Sequence, residues 1–218
     1  VSDSRTEDAV RPIFLTFDGE VEPDEPFAHM VENAALVAAL KTACSDAGVE
    51  LRSAGVRRFT ADDATVALVF SDGTRCDAAL LVAADGARSK LREQAGIGWV
   101  GWSYGQSGIV ATIGHERSHD GRAVEHFLPS GPFAILPLTD GGALGHRSSI
   151  VWTEQTENVE PLLSLDAQDM LAEIERRFGL ELGEIALESA VSAHPLGFGV
   201  ARRFVDERLA LLGDAAHL

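Results

Sequence analysis

The stretch RLALLGDAAHL, Arg208 to Leu218, decides the fold: an apolar run ends on Gly213-Asp214 and leads into small residues suited to a helix start. LLVAADGARSKLR, Leu80 to Arg92, has the same form, with Asp85-Gly86 at the break and Ser89 placed to cap the helix that follows. Ligands of α/β proteins bind where strands hand over to their loops. A carboxylate at such an edge accepts from sugar hydroxyls, a glycine permits close approach, and the N–H groups of a helix start favour phosphate. Each stretch alone reads equally well as a strand end followed by a capped helix. Two of them in one chain point to a bound nucleotide.

Outward from these stretches, a 218-residue chain is long enough for one large domain or two small ones. It is 45% hydrophobic and 24% charged, the composition of a globular protein. No apolar run reaches the roughly 18 residues of a membrane helix, and no charged-then-apolar leader opens the chain. The formal charge of −16 repels polyphosphate and argues against nucleic acid as a partner. Cys44 and Cys76 stand in unrelated contexts, which fits free thiols in a reducing, cytoplasmic compartment. The chain begins at Val1 rather than Met, so it is expected to be processed or cut from something longer.

Ile13 to Phe17 reads as a short strand, followed by an Asp18-Gly19 turn and an acidic loop. The clearest helix is ENAALVAALKTACSDAG, with Leu36, Val37, Leu40, Ala43, Cys44 and Ala47 on one face, Asn33 as N-cap and Gly48 as C-terminal stop. Val66, Leu68 and Phe70 alternate, as in a strand with one wet face, whereas AALLVAAD is almost wholly apolar, as in a strand covered on both faces. SGIVATIGHE, RAVEHFL, FAILPL and RSSIVWTE are four strand-like runs, ESAVSAHPL is another, and DAQDMLAEIERRFG is a helix capped by Asp166 and stopped by Gly179. The fold class expected is mixed α/β. Residues 30–96 and 204–218 form parts of a nucleotide-type α/β unit, intertwined with a largely antiparallel sheet and its covering helix from residues 1–29 and 97–203.

LLVAADGARSKLR resembles the Asp-Gly motif of class A flavoprotein aromatic hydroxylases, and RLALLGDAAH resembles their Gly-Asp motif. YGQSGIVATIGHERSHDGRAVEHFLPSGPFAILPLT, RSSIVWTE and FAHMVEN are similar to the ubiquinone-biosynthesis branch, of the 2-octaprenyl-6-methoxyphenol hydroxylase type. The resemblance implies a para-hydroxybenzoate-hydroxylase-like fold and a FAD-dependent monooxygenase that uses NAD(P)H and O2, through a flavin C4a-hydroperoxide, on a phenolic, prenylated ring. It places Asp214 on the ribityl or ribose hydroxyls of FAD, with Gly213 allowing close approach and Ala215, Ala216 and His217 opening a helix toward the flavin or pyrophosphate. Asp85 and Gly86 stand near FAD and the transient NAD(P)H, Arg88, Ser89 and Arg92 shape that loop, and Asn33 falls beside the cofactor. AVEHFLPSGPFAILPL is expected to roof the substrate pocket, with His126, Phe133 and Pro137 as pocket residues. No side chain is expected to act as a catalytic nucleophile. The resemblance also implies that a GxGxxG segment precedes Val1 and a Pro- and Gly-rich one follows Leu218, in a protein of roughly 400 residues. It allows peripheral association with the inner membrane, membership of a ubiquinone-biosynthesis assembly, and a homo-oligomer.

His115 and His119 in HERSH are spaced like zinc ligands on a helix, yet the surrounding residues read as a loop, so no metal is expected. His126 fits a hydrogen-bonded core histidine as well as a substrate contact, and Trp99 and Trp102 fit either ligand stacking or packing between layers. Glu154, Glu157 and Glu160 read as a solvated acidic loop. Two other functions remain open: a flavin hydroxylase of another phenol or a polyketide, and a non-catalytic sheet module that binds a ligand or partner.

Overall fold

The computed structural model describes residues 1–3, 5, 12, 13, 15–17, 20–22, 25, 26 and 28–218. In chain order the elements are β1 (Ser2–Asp3), β2 (Glu20–Glu22), β3 (Glu25–Pro26), α1 (Asn33–Asp46), β4 (Val56–Ala61), β5 (Val66–Phe70), β6 (Arg75–Ala78), β7 (Leu81–Ala83) and α2 (Lys90–Gln94). Then follow β8 (Trp99–His115), β9 (Val124–Leu128), β10 (Gly131–Pro137), β11 (His146–Gln155), α3 (Thr156–Leu163), α4 (Ala167–Phe178), β12 (Ile185–Leu187), β13 (Ser192–Ala201), β14 (Val205–Asp206) and β15 (Leu209–Leu211). Two compact units emerge: Val1–Ala39 with Gly105–Leu196, the sheet unit, and Leu40–Tyr104 with Gly197–Leu218, the motif unit.

In the sheet unit the strands lie in the order β1-β9-β10-β11-β8-β12, with β13 also paired to β8. β9, β10, β11 and β8 pair antiparallel, and β1 joins β9 in parallel. These are the four runs read as strands, although β8 starts earlier than the sequence suggested and takes in Trp99 and Trp102. Alternation puts Ile109, Ile113, Phe133, Ile150 and Trp152 on one face, where they pack with Met170, Ile174 and Phe178 of α4. That helix starts where expected: Asp166 Oδ1 accepts from the N–H groups of Gln168 (3.0 Å) and Asp169 (2.9 Å). Gly179, at φ +82°, ends it.

Two readings of this unit need correction. Glu154 is buried rather than solvated: its Oε1 accepts from the Gln155 N–H and from Asn158 Nδ2, and the acidic segment after it winds into α3. Among the described residues Ile13 makes an isolated bridge to Ser2, and residues 15–17 are not assigned to a strand. The Asp18-Gly19 turn lies outside the described residues.

In the motif unit β4, β5 and β6 form an antiparallel meander, and β15 pairs in parallel with β7 while β14 flanks β15. Val66, Leu68 and Phe70 face a core shared with Leu81, Ala83, Leu91, Leu209 and Leu211. Alternation in β5 is therefore as read. The expectation that AALLVAAD is covered on both faces is not met, because Leu80, Val82 and Leu212 on the other side are 54%, 49% and 61% exposed. Helix α1 likewise buries none of its residues, Leu36, Val37 and Leu40 included. It begins one residue earlier than read, since Leu36 N–H donates to Glu32 O and makes Glu32, not Asn33, the cap position. It does end at Gly48, at φ +71°, with Val49 N–H reaching Cys44 O and Gly48 N–H reaching Ser45 O.

Two substitutions in α4 test this account. Asp166→Ala should cost about 1 kcal/mol, and Ile174→Ala about 3 kcal/mol. Denaturant midpoints at constant slope measure both.

Candidate functional site

Residues Leu81, Val82 and Ala83 stand in register with Leu209, Ala210 and Leu211, and Leu212 N–H donates to Ala83 O at 2.9 Å. The Asp-Gly and Gly-Asp loops therefore leave the same end of one parallel ladder. Gly86 (φ +84°) and Gly213 (φ +59°) both occupy the left-handed region, and nothing lies within 4 Å of the position a Cβ would take at either. Glycine is needed there for its backbone, and the space beside it is open.

The two aspartates differ in their surroundings. Asp85 Oδ2 accepts from the N–H groups of Lys90 (2.9 Å) and Leu91 (3.3 Å), so this carboxylate caps α2 together with buried Ser89, whose Oγ accepts from Arg92 N–H at 3.0 Å. Asp214 is exposed in the 3₁₀ turn Gly213–Ala215, and no described residue bonds its carboxylate. One aspartate is occupied in shaping its loop; the other is free to accept from hydroxyl groups.

Arg92 joins the loops. Only 5% exposed, it donates from Nη1 to Ala215 O and from Nη2 to Ala87 O, both at 2.9 Å, and its guanidinium lies 4.0 Å above the Trp99 ring. A planar fork with fixed N–H directions suits two carbonyls held apart in this way. Ala216 N–H closes the turn on Gly213 O, and Ala201 N–H donates to Ala216 O. Ala215 and Ala216 are buried and present only backbone, whereas His217 is exposed with its ring stacked on Phe204. Arg88 is exposed in the first loop.

Of the candidate residues, the structure thus brings together Asp85, Gly86, Arg88, Ser89, Arg92 and Gly213 to His217. Asn33, the first residue of α1, belongs to the sheet unit's range. So do His126, Phe133 and Pro137. Phe133 is fully buried in the core, and Pro137 is half-buried at the end of β10. His126 is 1% exposed, with Nδ1 2.6 Å from Ser2 Oγ. Sequence reasoning missed two features. Trp99 as a platform for Arg92 had a faint signal, an arginine three residues past the capping serine. The Ser2–His126 pair, 124 residues apart, had none.

The histidines of HERSH gather with a third. The ring of His115 is 5.6 Å from His119 and 5.9 Å from His146. His115 Nδ1 meets Arg117 O and Nε2 meets Ser148 Oγ, so the neutral ring donates to the carbonyl and accepts from the hydroxyl. His119 bonds Leu138 O and Gly121 N–H, and His146 meets Asp140. Among the described residues no group of three or more His, Cys, Asp or Glu side chains is placed to hold a metal ion. The cluster ties loops together.

With this geometry in view, relatives identify the family. Residues 16–218 match the FAD binding domain family, and the chain belongs to it. Ubiquinone hydroxylase UbiL of Rhodospirillum rubrum is 45% identical over 219 residues, covering 100% of this chain and 50% of the relative. The 3-demethoxyubiquinol 3-hydroxylase of Escherichia coli is 35% identical over 191 residues, covering 87% and 47%. The chain spans about half the length of the relatives it matches. The flavin-dependent monooxygenase PieE, solved with FAD and substrate, superposes with TM-score 0.64 at 21% identity, covering 86% of this chain and 34% of that one. The p-nitrophenol 4-monooxygenase PnpA of Pseudomonas putida gives 0.61 at 18%, covering 85% and 47%. These two likenesses speak for the fold. FAD fits the residues present: an open glycine turn beside an unbonded carboxylate is a receptor for hydroxyl groups.

Two measurements test the site's construction. Arg92→Met leaves two carbonyls without their charged donor and should cost about 3 kcal/mol, with Arg92→Lys intermediate; thermal and denaturant melts read it. Burial, and then the neighbouring His119 and His146, push the His115 pKa down. The unfolded chain therefore binds a proton at this ring where the folded one does not. Stability should fall as pH drops below about 6.5 toward the folded pKa. His115→Gln, which keeps a donor and an acceptor, should flatten that slope in melts across pH 5 to 7.

Proposed function

We propose that the protein carrying this chain hydroxylates the aromatic ring of a ubiquinone precursor, with FAD as prosthetic group, NAD(P)H as reductant and O2 as oxidant. The observation that carries the reading is the 45% identity along the whole chain to a ubiquinone hydroxylase; the paired loops supply the chemical sense. Bound FAD supplies the redox chemistry, by which two electrons from NAD(P)H and one O2 yield a ring hydroxyl and water.

The residues of this chain bind and orient. Asp214 accepts hydrogen bonds from the ribityl or ribose hydroxyls, and Gly213 lets them approach. Asp85 and Ser89 hold the neighbouring loop in shape, and Arg92 fixes its distance from the Gly-Asp turn. Arg88, exposed on that loop, and His217, also exposed, would meet charged or aromatic parts of FAD or NAD(P)H. Ala215 and Ala216 contribute backbone, and Asn33 stands as a further cofactor neighbour. His126 and Phe133, being buried, shape β9 and β10 from behind, while Pro137 is the more open of the three proposed pocket residues.

No helix among the described residues is long and apolar enough to cross a membrane. A polyprenylated phenol resides in the bilayer, so the enzyme would work at a membrane surface on the cytoplasmic side, within an assembly or as a homo-oligomer.

The test uses the full-length protein. Wild type should purify with flavin absorbance and consume NAD(P)H when given a polyprenylated phenol, with product mass raised by one oxygen. Asp214→Ala should lose most of its flavin while keeping its melting profile in the apo form. Flavin retention unaltered by Asp214→Ala, or no ring product from any prenylated phenol, would sink the proposal.

A further inference from the structure

The outer side of the β4–β6 meander carries two adjacent exposed arginines, apart from the two loops. Consecutive residues of a strand point to opposite faces. In β4 this rule is broken: Val56 pairs with Phe70 and Arg58 with Val69, so Arg57 is an extra residue, a β-bulge. Arg57 and Arg58 are consequently both exposed, and regular alternation resumes at Phe59. Both line a pocket of about 500 Å³ with Val69 and with Gln94 of α2. Gln94 Nε2 donates to Arg57 O at 3.0 Å, bonding a carbonyl at the irregular point of the strand.

The electrostatics set this pocket apart. Acidic residues outnumber basic ones 34 to 18 in the chain, but not uniformly. The ranges of the motif unit contain eleven of each, so the whole excess of −16 belongs to the ranges of the sheet unit. No described carboxylate pairs with Arg57 or Arg58, although Arg52, Arg147, Arg176, Arg177 and Arg203 all have one. Arg75 stands opposite Val69 from β6 and extends the same row, and the nearest acid in register on that strand, Asp77, falls two pairs further along, opposite Ala67.

We propose that Arg57 and Arg58 bind the phosphate group of a small-molecule phosphate ester or diphosphate, with Val69 as the floor and Gln94 as an additional donor. Two guanidinium forks side by side match the several oxygens of a terminal phosphate better than the two of a carboxylate. The site is independent of the flavin reading, since none of its residues belongs to the Asp-Gly or Gly-Asp loops.

The experiment titrates pyrophosphate into the full-length protein by calorimetry, alongside sedimentation with vesicles of phosphatidylglycerol or of phosphatidylcholine alone. Arg57→Gln and Arg58→Gln should each weaken pyrophosphate binding about tenfold or more, and higher salt should weaken the wild type. Arg52→Gln, whose partner is Glu50, should bind as wild type does, and melting curves of all variants should coincide. Sedimentation with phosphatidylglycerol alone, lost in the double variant and without pyrophosphate binding, would assign the phosphate to a lipid headgroup and still support the site. Absence of binding to both probes, or binding indifferent to Arg57 and Arg58, overturns it.

Discussion

A buried guanidinium needs hydrogen-bond acceptors around it, and Arg92 finds two in carbonyls of loops far apart in the chain. Ala87 O and Ala215 O, brought to the two sides of one guanidinium, hold the Asp-Gly and Gly-Asp loops at a fixed separation. Trp99 supplies the face on which the fork lies. The rest of the site follows from this bridge. Ser89 and Asp85 cap the short helix that carries Arg92, and the parallel ladder of β7 and β15 delivers both loops to the same edge. Take the bridge away and Asp214 remains on its turn, but no longer at a set distance from its neighbour.

The division of labour between the aspartates is a consequence of local hydrogen bonding. In sequence, Asp85-Gly86 and Gly213-Asp214 look like mirror images with equal claims on a ligand. In the folded chain one carboxylate is taken up by two backbone N–H groups and the other is left open to solvent. A similar economy runs through the histidines. The rings of the HERSH histidines and His146 bond carbonyls, a hydroxyl and a carboxylate, knitting β8, the turn after it and the β10–β11 loop.

Much of the architecture was legible because its signals are short-range. Asp166 and Gly179 bracket α4, Gly48 stops α1, and the alternation of Val66, Leu68 and Phe70 names the inward face of β5. The failures come from longer-range causes. The apolar runs of β7 and α1 read as more fully buried than the described residues make them, and Leu80, Val82, Leu36 and Leu40 stand exposed. Glu154 reads as surface because a glutamate is cheap to solvate, yet Asn158 and the Gln155 N–H give it a buried partner set. The bulge that turns Arg57 and Arg58 to one side is invisible in the string, since it depends on the register of β5.

Residue type and spacing by themselves determined which segments become strands and helices, where they stop, and that two glycine–aspartate breaks follow apolar strands. These are local matters of backbone freedom, capping and periodicity. Only the tertiary structure decided that the two breaks are neighbours and that Arg92 ties them together. Those outcomes rest on hydrogen bonds between residues more than a hundred positions apart, and no local preference of the chain specifies a partner at that distance.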